Sequence, residues 1–232
     1  MLPLAALTKL DGGWLGDSAE ITVLPPWWSL DQNSWKPEVS ISPDPHLVVL
    51  NGFDSIQSKQ SEATEMTRLF PHVVLVDGPS SPPATILKAL GSAEVVHFSG
   101  HASSGSGVQL LLAGSGSGTQ LSLTPETFQT AHMQFCRLAV LAACNTTAAD
   151  PDQIERLPDL RNALLLAGTH VVVASNWDID DSATHSMMLA FYRQLSPSIP
   201  PAHALQAAQQ FIRSTAGWRH PYYWAAFESF TR

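Results

Sequence analysis

From residue 46 onward the chain alternates short apolar runs with longer stretches whose apolar positions recur at helical spacing. The runs are Leu47-Val48-Val49-Leu50, Val73-Val74-Leu75-Val76, Val95-Val96-His97-Phe98, Leu138-Ala139-Val140-Leu141 and Val171-Val172-Val173-Ala174. Apolar side chains at consecutive positions, rather than at every second one, belong to strands buried on both faces, as in a parallel sheet. The intervening stretches predict helices at about 61–69, 84–91, 125–131, 159–167, 181–195 and 202–215. Thr124, Pro125 and Glu126 supply a cap, a proline at the first helical position and an acidic first turn, and Asp180 or Asp181 can cap the helix after Trp177. The segment 114–118 (GSGSG) lies between apolar runs at 108–113 and 121–123 and reads as a hairpin tip. The expected architecture is α/β: a doubly wound, mostly parallel sheet flanked by helices, with one β-hairpin inserted after the third core strand.

The first 45 residues break this pattern. Pro25, Pro26, Trp27, Trp28, Trp35, Pro37, Pro43 and Pro45 crowd a stretch with no sustained period, so residues 1–45 read as an irregular segment packed on a domain spanning 46–232. At 232 residues the chain is long enough to bury a sizeable core without staples. Charged residues are 14% of the chain and the formal net charge is −8, which argues against a basic nucleic-acid-binding surface. Cys136 and Cys144, on one strand and its end, are poor disulfide partners, which points to a reducing compartment. The opening Met1 to Leu10 does not read as a signal peptide, and no run approaches a membrane span, so a cytoplasmic location is expected. Without a CxxC pair or clustered histidines no metal is expected. Lacking a phosphate-binding loop or an opening GxGxxG, the chain is expected to need no nucleotide or other cofactor.

Two strand ends carry reactive side chains, and strand carboxyl ends are where open α/β sheets bind ligands. One run leads into Ser99-Gly100-His101-Ala102-Ser103-Ser104-Gly105, and another into Ala142-Ala143-Cys144-Asn145-Thr146-Thr147. A thiolate is a strong nucleophile, and an imidazole within reach supplies the base and later the acid for a leaving amine. Either residue alone reads more simply as a buried small hydrophobe or a loop histidine. Together, just past strands and in loops of small residues, they read as a Cys-His dyad. Cys136 lies earlier in its run and reads as core; His97, inside its strand, reads as core or as support to the site.

The stretches VVHFSGHA (95–102), LAVLAACNT (138–146), LRNALLLAGTHVVVASNWDIDDSAT (160–184), FYRQL (191–195) and HPYYWAAF (220–227) together resemble the CHAT family, caspase-like cysteine peptidase domains of clan CD related to separases. The resemblance runs from about residue 46 to the C-terminus. It implies a caspase-like fold and peptide-bond hydrolysis with His101 as general base and Cys144 as nucleophile. It also implies an oxyanion hole made by the backbone N–H groups of Ala102 and Cys144. The family often has glycine after the histidine, where this chain has Ala102; alanine retains the needed N–H. Trp177-Asp178-Ile179-Asp180-Asp181 resembles the separase stretch that receives a basic side chain, so Asp178 and Asp181 are implied to line the substrate pocket, with cleavage after Arg or Lys. By the same resemblance HPYYWAAF looks like a closing strand, its aromatics explained by burial. A tetratricopeptide-repeat region or an activating partner is the companion the family suggests, beside a protein or peptide substrate.

Two other readings compete. A catalytically silent CHAT-like interaction module, in signalling or defence, would be free to lose the dyad, which is intact here. An α/β hydrolase or transferase using Cys144 on a small acyl substrate would show a GxSxG-like elbow, which Ala142-Ala143-Cys144-Asn145-Thr146 lacks.

Overall fold

The computed structural model describes residues 3–24, 39–52, 58–77, 81–103, 109–112, 121–143, 160–178 and 180–232. Five of its strands are the apolar runs expected from the sequence: β2 (Leu47–Asn51), β3 (Val73–Asp77), β4 (Val95–Ser103), β7 (Leu138–Ala143) and β8 (Val171–Ser175). They pair in parallel in the order β8-β7-β4-β2-β3. A final strand, β9 (Phe227–Thr231), pairs antiparallel with β8, and the short β1 (Thr22–Val23) closes that edge by running parallel to β9. The predicted hairpin strands form β5 (Gln109–Leu112) and β6 (Leu121–Leu123), paired antiparallel. The GSGSG tip lies outside the described residues.

Helices cover both faces, as the two-sided apolar runs require. On one face α1 (Ser58–Leu69), α5 (Asp181–Gln194) and α6 (Pro201–Ser214) pack over Val49, Val95, Leu138, Val140, Ala142 and Val173. On the other, α2 (Pro83–Ser92), α3 (Pro125–Ala131) and α4 (Leu160–Ala167) cover Val48, Leu50, Val96, Phe98, Ala139 and Leu141. The helix starts follow their caps. Thr124 precedes α3, its N–H donating to Thr127 Oγ1 at 3.2 Å, and Asp180 Oδ1 accepts the Ala183 N–H at 3.0 Å to cap α5. Burying a Val or Leu side chain contributes about 1.5–3 kcal/mol. The central strands β4 and β7, with Val95, Val96, Phe98 and all of β7 buried, are therefore costly to separate. Among the described residues no helix is long and apolar enough to cross a membrane.

Two parts of the chain differ from expectation. HPYYWAAF is not a strand: Pro221–Trp224 forms one helical turn, α7, and the strand starts only at Phe227. Pro221 supplies a helix-compatible φ at the first position, and His220 Nδ1 accepts the Tyr222 N–H at 3.2 Å. Burial nevertheless accounts for Trp224, which is 2% exposed and packs edge-on against Trp14 at 5.5 Å. The second difference is at residues 99–103, which continue β4 instead of opening a loop. A nonlocal partner keeps them extended, since His101, Ala102 and Ser103 pair with Leu111, Leu110 and Gln109 of β5.

The order of the sheet reverses between β2 and β4: the chain builds outward from β2 to β3, then returns to lay β4 on the other side of β2. Such a reversal opens a crevice at the strand carboxyl ends. Here Gly52 and Gly100 make the backbones meet closely. A Cβ on Gly52 would stand 2.7 Å from the Leu111 carbonyl oxygen and 3.1 Å from Gly100 Cα; one on Gly100 would stand 2.7 Å from Phe98 Cζ. Gly100→Ala is therefore expected to cost about 1–3 kcal/mol through overpacking, measured as a lowered midpoint in denaturant unfolding. An unchanged midpoint would contradict this close approach.

Candidate active site

His101 leaves the main sheet on an extended strand. β2 flanks β4 on one side as far as Asn51 opposite Ser99, and β7 flanks it on the other as far as Ala143 opposite Gly100. Beyond those rungs β5 takes the place that β2 vacates, as the nearness of its Leu111 carbonyl to Gly52 shows. The β7 side of residues 101–103 has no strand partner among the described residues. Ala143 is held there by Ser175, whose hydroxyl donates to the Ala143 carbonyl at 2.5 Å. Cys144, the next residue, lies outside the described residues, so of the two expected dyad residues the structure describes His101 alone, half-buried like Ala102. Cys136 is fully buried, and burial pushes its thiol up to about 12, which removes it as a rival nucleophile.

Asp178 and Asp181 both stand exposed, Asp178 on the turn after β8 and Asp181 at the first position of α5. Neither is the buried carboxylate of a deep guanidinium pocket, and Asp180 is committed to capping α5. The turn itself is firmly held by the C-terminal segment. The Asn176 N–H donates to the Ala226 carbonyl at 2.9 Å, Asn176 Nδ2 to Glu228 Oε2 at 2.8 Å, and Trp177 Nε1 to the Tyr222 carbonyl at 3.1 Å. Periodicity gives no hint of these contacts, because each joins residues far apart in the chain.

A polar cluster beneath β4 is the feature least visible in the sequence. His97 is fully buried, with Nε2 3.3 Å from Glu62 Oε2 and Nδ1 3.0 Å from the Tyr192 hydroxyl. Glu62 is 2% exposed, and its other oxygen faces His185 Nδ1 at 3.4 Å. Burial alone would raise the Glu62 pKa. The nearness of His185, His97 and Ser99, with the charge of His97, outweighs it and brings the carboxyl down to about 2. Tyr192 moves the other way, its hydroxyl held well above the ordinary value by burial and then by the Glu62 charge. Among the described residues no group of three or more His, Cys, Asp or Glu side chains is arranged to hold a metal ion. Only His97, a polar residue inside an apolar run, signals the cluster; Glu62 lies in a polar-rich helix where one carboxylate looks like any other.

Comparison with known proteins agrees with this architecture. The family model for the CHAT domain matches residues 1–231. The chain belongs to the CHAT domain family. No curated protein matches it significantly by sequence. By structure the CHAT domain is similar to RgpB of Porphyromonas gingivalis, in the complex of its pro- and mature domains. That match has 13% identity and a TM-score of 0.58, and covers 84% of this chain and 50% of that one. It is also similar to separase in the separase–securin complex of Saccharomyces cerevisiae, with 13% identity and a TM-score of 0.60 over 83% of this chain and 12% of that one. A second gingipain structure, the Arg-specific cysteine proteinase gingipain R, gives 14% identity and 0.54 over 84% and 49%. The CHAT domain thus has the caspase-like fold of these clan CD proteases and spans half or less of their chains.

The Glu62 cluster has a measurable consequence in acid. The folded carboxyl titrates at about 2 and the unfolded one at its ordinary value of about 4.5. As pH falls below about 4.5 the unfolded chain takes up this proton first, so stability is lost progressively down to about 2. Denaturant midpoints measured against pH should fall more steeply for the native chain than for Glu62→Gln across that interval. Parallel curves would show that the carboxylate is not held as described.

Proposed function

We propose that this CHAT domain is a cysteine endopeptidase that uses Cys144 as nucleophile and His101 as general base and acid. The observation that supports the reading is the in-register pairing of β4 and β7, which ends with Gly100 opposite Ala143. His101 follows Gly100 on β4 and Cys144 follows Ala143 in the sequence, and one trans peptide carries a chain only about 3.8 Å from Cα to Cα. Neighbouring strands lie about 4.8 Å apart. Side chains one residue beyond a shared rung would come within the span that proton transfer from thiol to imidazole needs, which supports the pairing of His101 with Cys144.

In this mechanism His101 takes the Cys144 thiol proton, and the sulfur attacks the peptide carbonyl carbon. A C–S bond forms, and the carbonyl π electrons move onto oxygen, where the N–H groups of Ala102 and Cys144 receive the charge. The tetrahedral adduct collapses by breaking its C–N bond, and His101 returns the proton to the departing amine. Water then attacks the thioester with His101 again as base, releasing the acid and restoring the thiol. General acid–base transfer contributes about 10²–10⁴-fold and an oxyanion donor about 10²–10³-fold. The role of Ala102 requires its N–H to point away from β5.

Asp178 and Asp181 are proposed to receive the basic side chain before the scissile bond, as exposed carboxylates at the rim of the crevice. The structural neighbours include an Arg-specific proteinase, in keeping with this preference. A protein or peptide substrate, a reducing cytoplasmic setting and control by an activating partner or a tetratricopeptide-repeat region complete the proposal.

Short fluorogenic peptides ending in Arg, Lys, Asp or Leu test it. Turnover is expected after Arg or Lys, reduced at least about 10³-fold in both Cys144→Ala and His101→Ala, since the two residues act as one unit. Asp178→Ala and Asp181→Ala should raise KM for Arg peptides while leaving the dyad's chemistry intact. No turnover of any peptide by the native chain would favour the silent interaction module instead.

A further inference from the structure

Glu62 touches three elements at once. It projects from α1, lies 3.3 Å from His97 Nε2 and near Ser99 on β4, and faces His185 of α5. Strand alternation puts His97, Ser99 and His101 on one face of β4, the face covered by α1 and α5. The cluster therefore lies under the two rungs that lead to His101, about 7–13 Å away along the strand. Its second arm reaches the pocket side: His185 stands one helical turn after Asp181, on the same face of α5. Tyr192, further along α5, secures the remaining nitrogen of His97 and is itself wedged edge-on between Phe70 and Phe191.

Placing a carboxylate, two imidazoles and a phenol inside a helix–sheet interface carries a desolvation cost, and apolar residues of the same size would often hold such an interface as well or better. What apolar packing would not supply is direction. Hydrogen bonds at fixed ring nitrogens and carboxylate oxygens fix the height of β4 against α5, and dyad chemistry is sensitive to displacements of about 1 Å.

We propose that Glu62 is a positioning residue for the peptidase site, tying the strand that carries His101 to the helix that begins at Asp181 through the Glu62, His97, Ser99 and His185 contacts. It touches neither substrate nor reacting atoms and acts through β4 and α5. The inference rests on the peptidase reading above.

The test compares kcat and KM for an Arg-ending peptide in the native chain, Glu62→Gln and Ser99→Ala, with thermal melts on each. Glu62→Gln keeps the shape and removes the charge; Ser99→Ala removes a single hydroxyl and carries the test if the first variant does not fold. The expected result is a fall in kcat of about 10-fold or more for Glu62→Gln, and about 3-fold or more for Ser99→Ala, with KM within about 2-fold in folded protein. A merely structural role would lower the melting temperature and leave kcat of the folded fraction unchanged. Folded variants that keep native kcat overturn this proposal alone. A native chain that cleaves nothing overturns the peptidase reading, and this proposal with it.

Discussion

The pairing of β4 with β7 is the constraint on which the rest of the structure depends. Six consecutive rungs, from Val95 opposite Leu138 to Gly100 opposite Ala143, lock the two central strands in one register. A slip of one residue would turn every side chain to the other face. That would bring His97 and Ser99 out of the α1–α5 side and strand Phe98 among polar groups. The register is thus enforced from both sides of the sheet, by apolar packing on the α2–α4 face and by the Glu62 contacts on the other. It also decides what stands next to what toward the carboxyl ends, as far as Gly100 opposite Ala143.

Around that axis the fold spends its irregular pieces on the crevice. β2 stops at Gly52, where a side chain would collide with Leu111 and Gly100, and β5 takes over as partner of β4. The β7 side is left open among the described residues. The C-terminal segment and β9 hold the turn that carries Asp178, through Asn176, Trp177, Glu228 and the Tyr222 carbonyl. Rigid elements therefore support both the His101 strand and the proposed pocket rim, the condition under which small displacements at a reacting centre can be suppressed.

The strands and helices were legible because each is a local signal: β-branched runs for β2, β3, β4, β7 and β8, and a cap such as Thr124 or Asp180 for the helix starts. Membership in the CHAT family was likewise legible in VVHFSGHA, LAVLAACNT and the stretch around Trp177, and the family model bears it out. What was not legible depends on contacts between distant segments. Residues 99–103 looked like a loop because their partner β5 is supplied by a hairpin, and HPYYWAAF looked like a strand because aromatic burial does not distinguish a helical turn from an extended edge. Glu62, Tyr192 and His185 carry no local mark of burial, and only their meeting around His97 gives them meaning. Asp178 and Asp181 were legible as acids, while their exposure was not.

If Cys144 is a nucleophile activated by His101, as proposed, a covalent trap will catch it. The native chain, incubated with a peptidyl acyloxymethyl ketone ending in Arg, would be digested and its adduct located by mass spectrometry, alongside the His101→Ala variant. The account predicts one thioether adduct, on Cys144, with none on Cys136 and a rate that collapses without His101. No adduct on Cys144, or one that forms equally fast in His101→Ala, would contradict it.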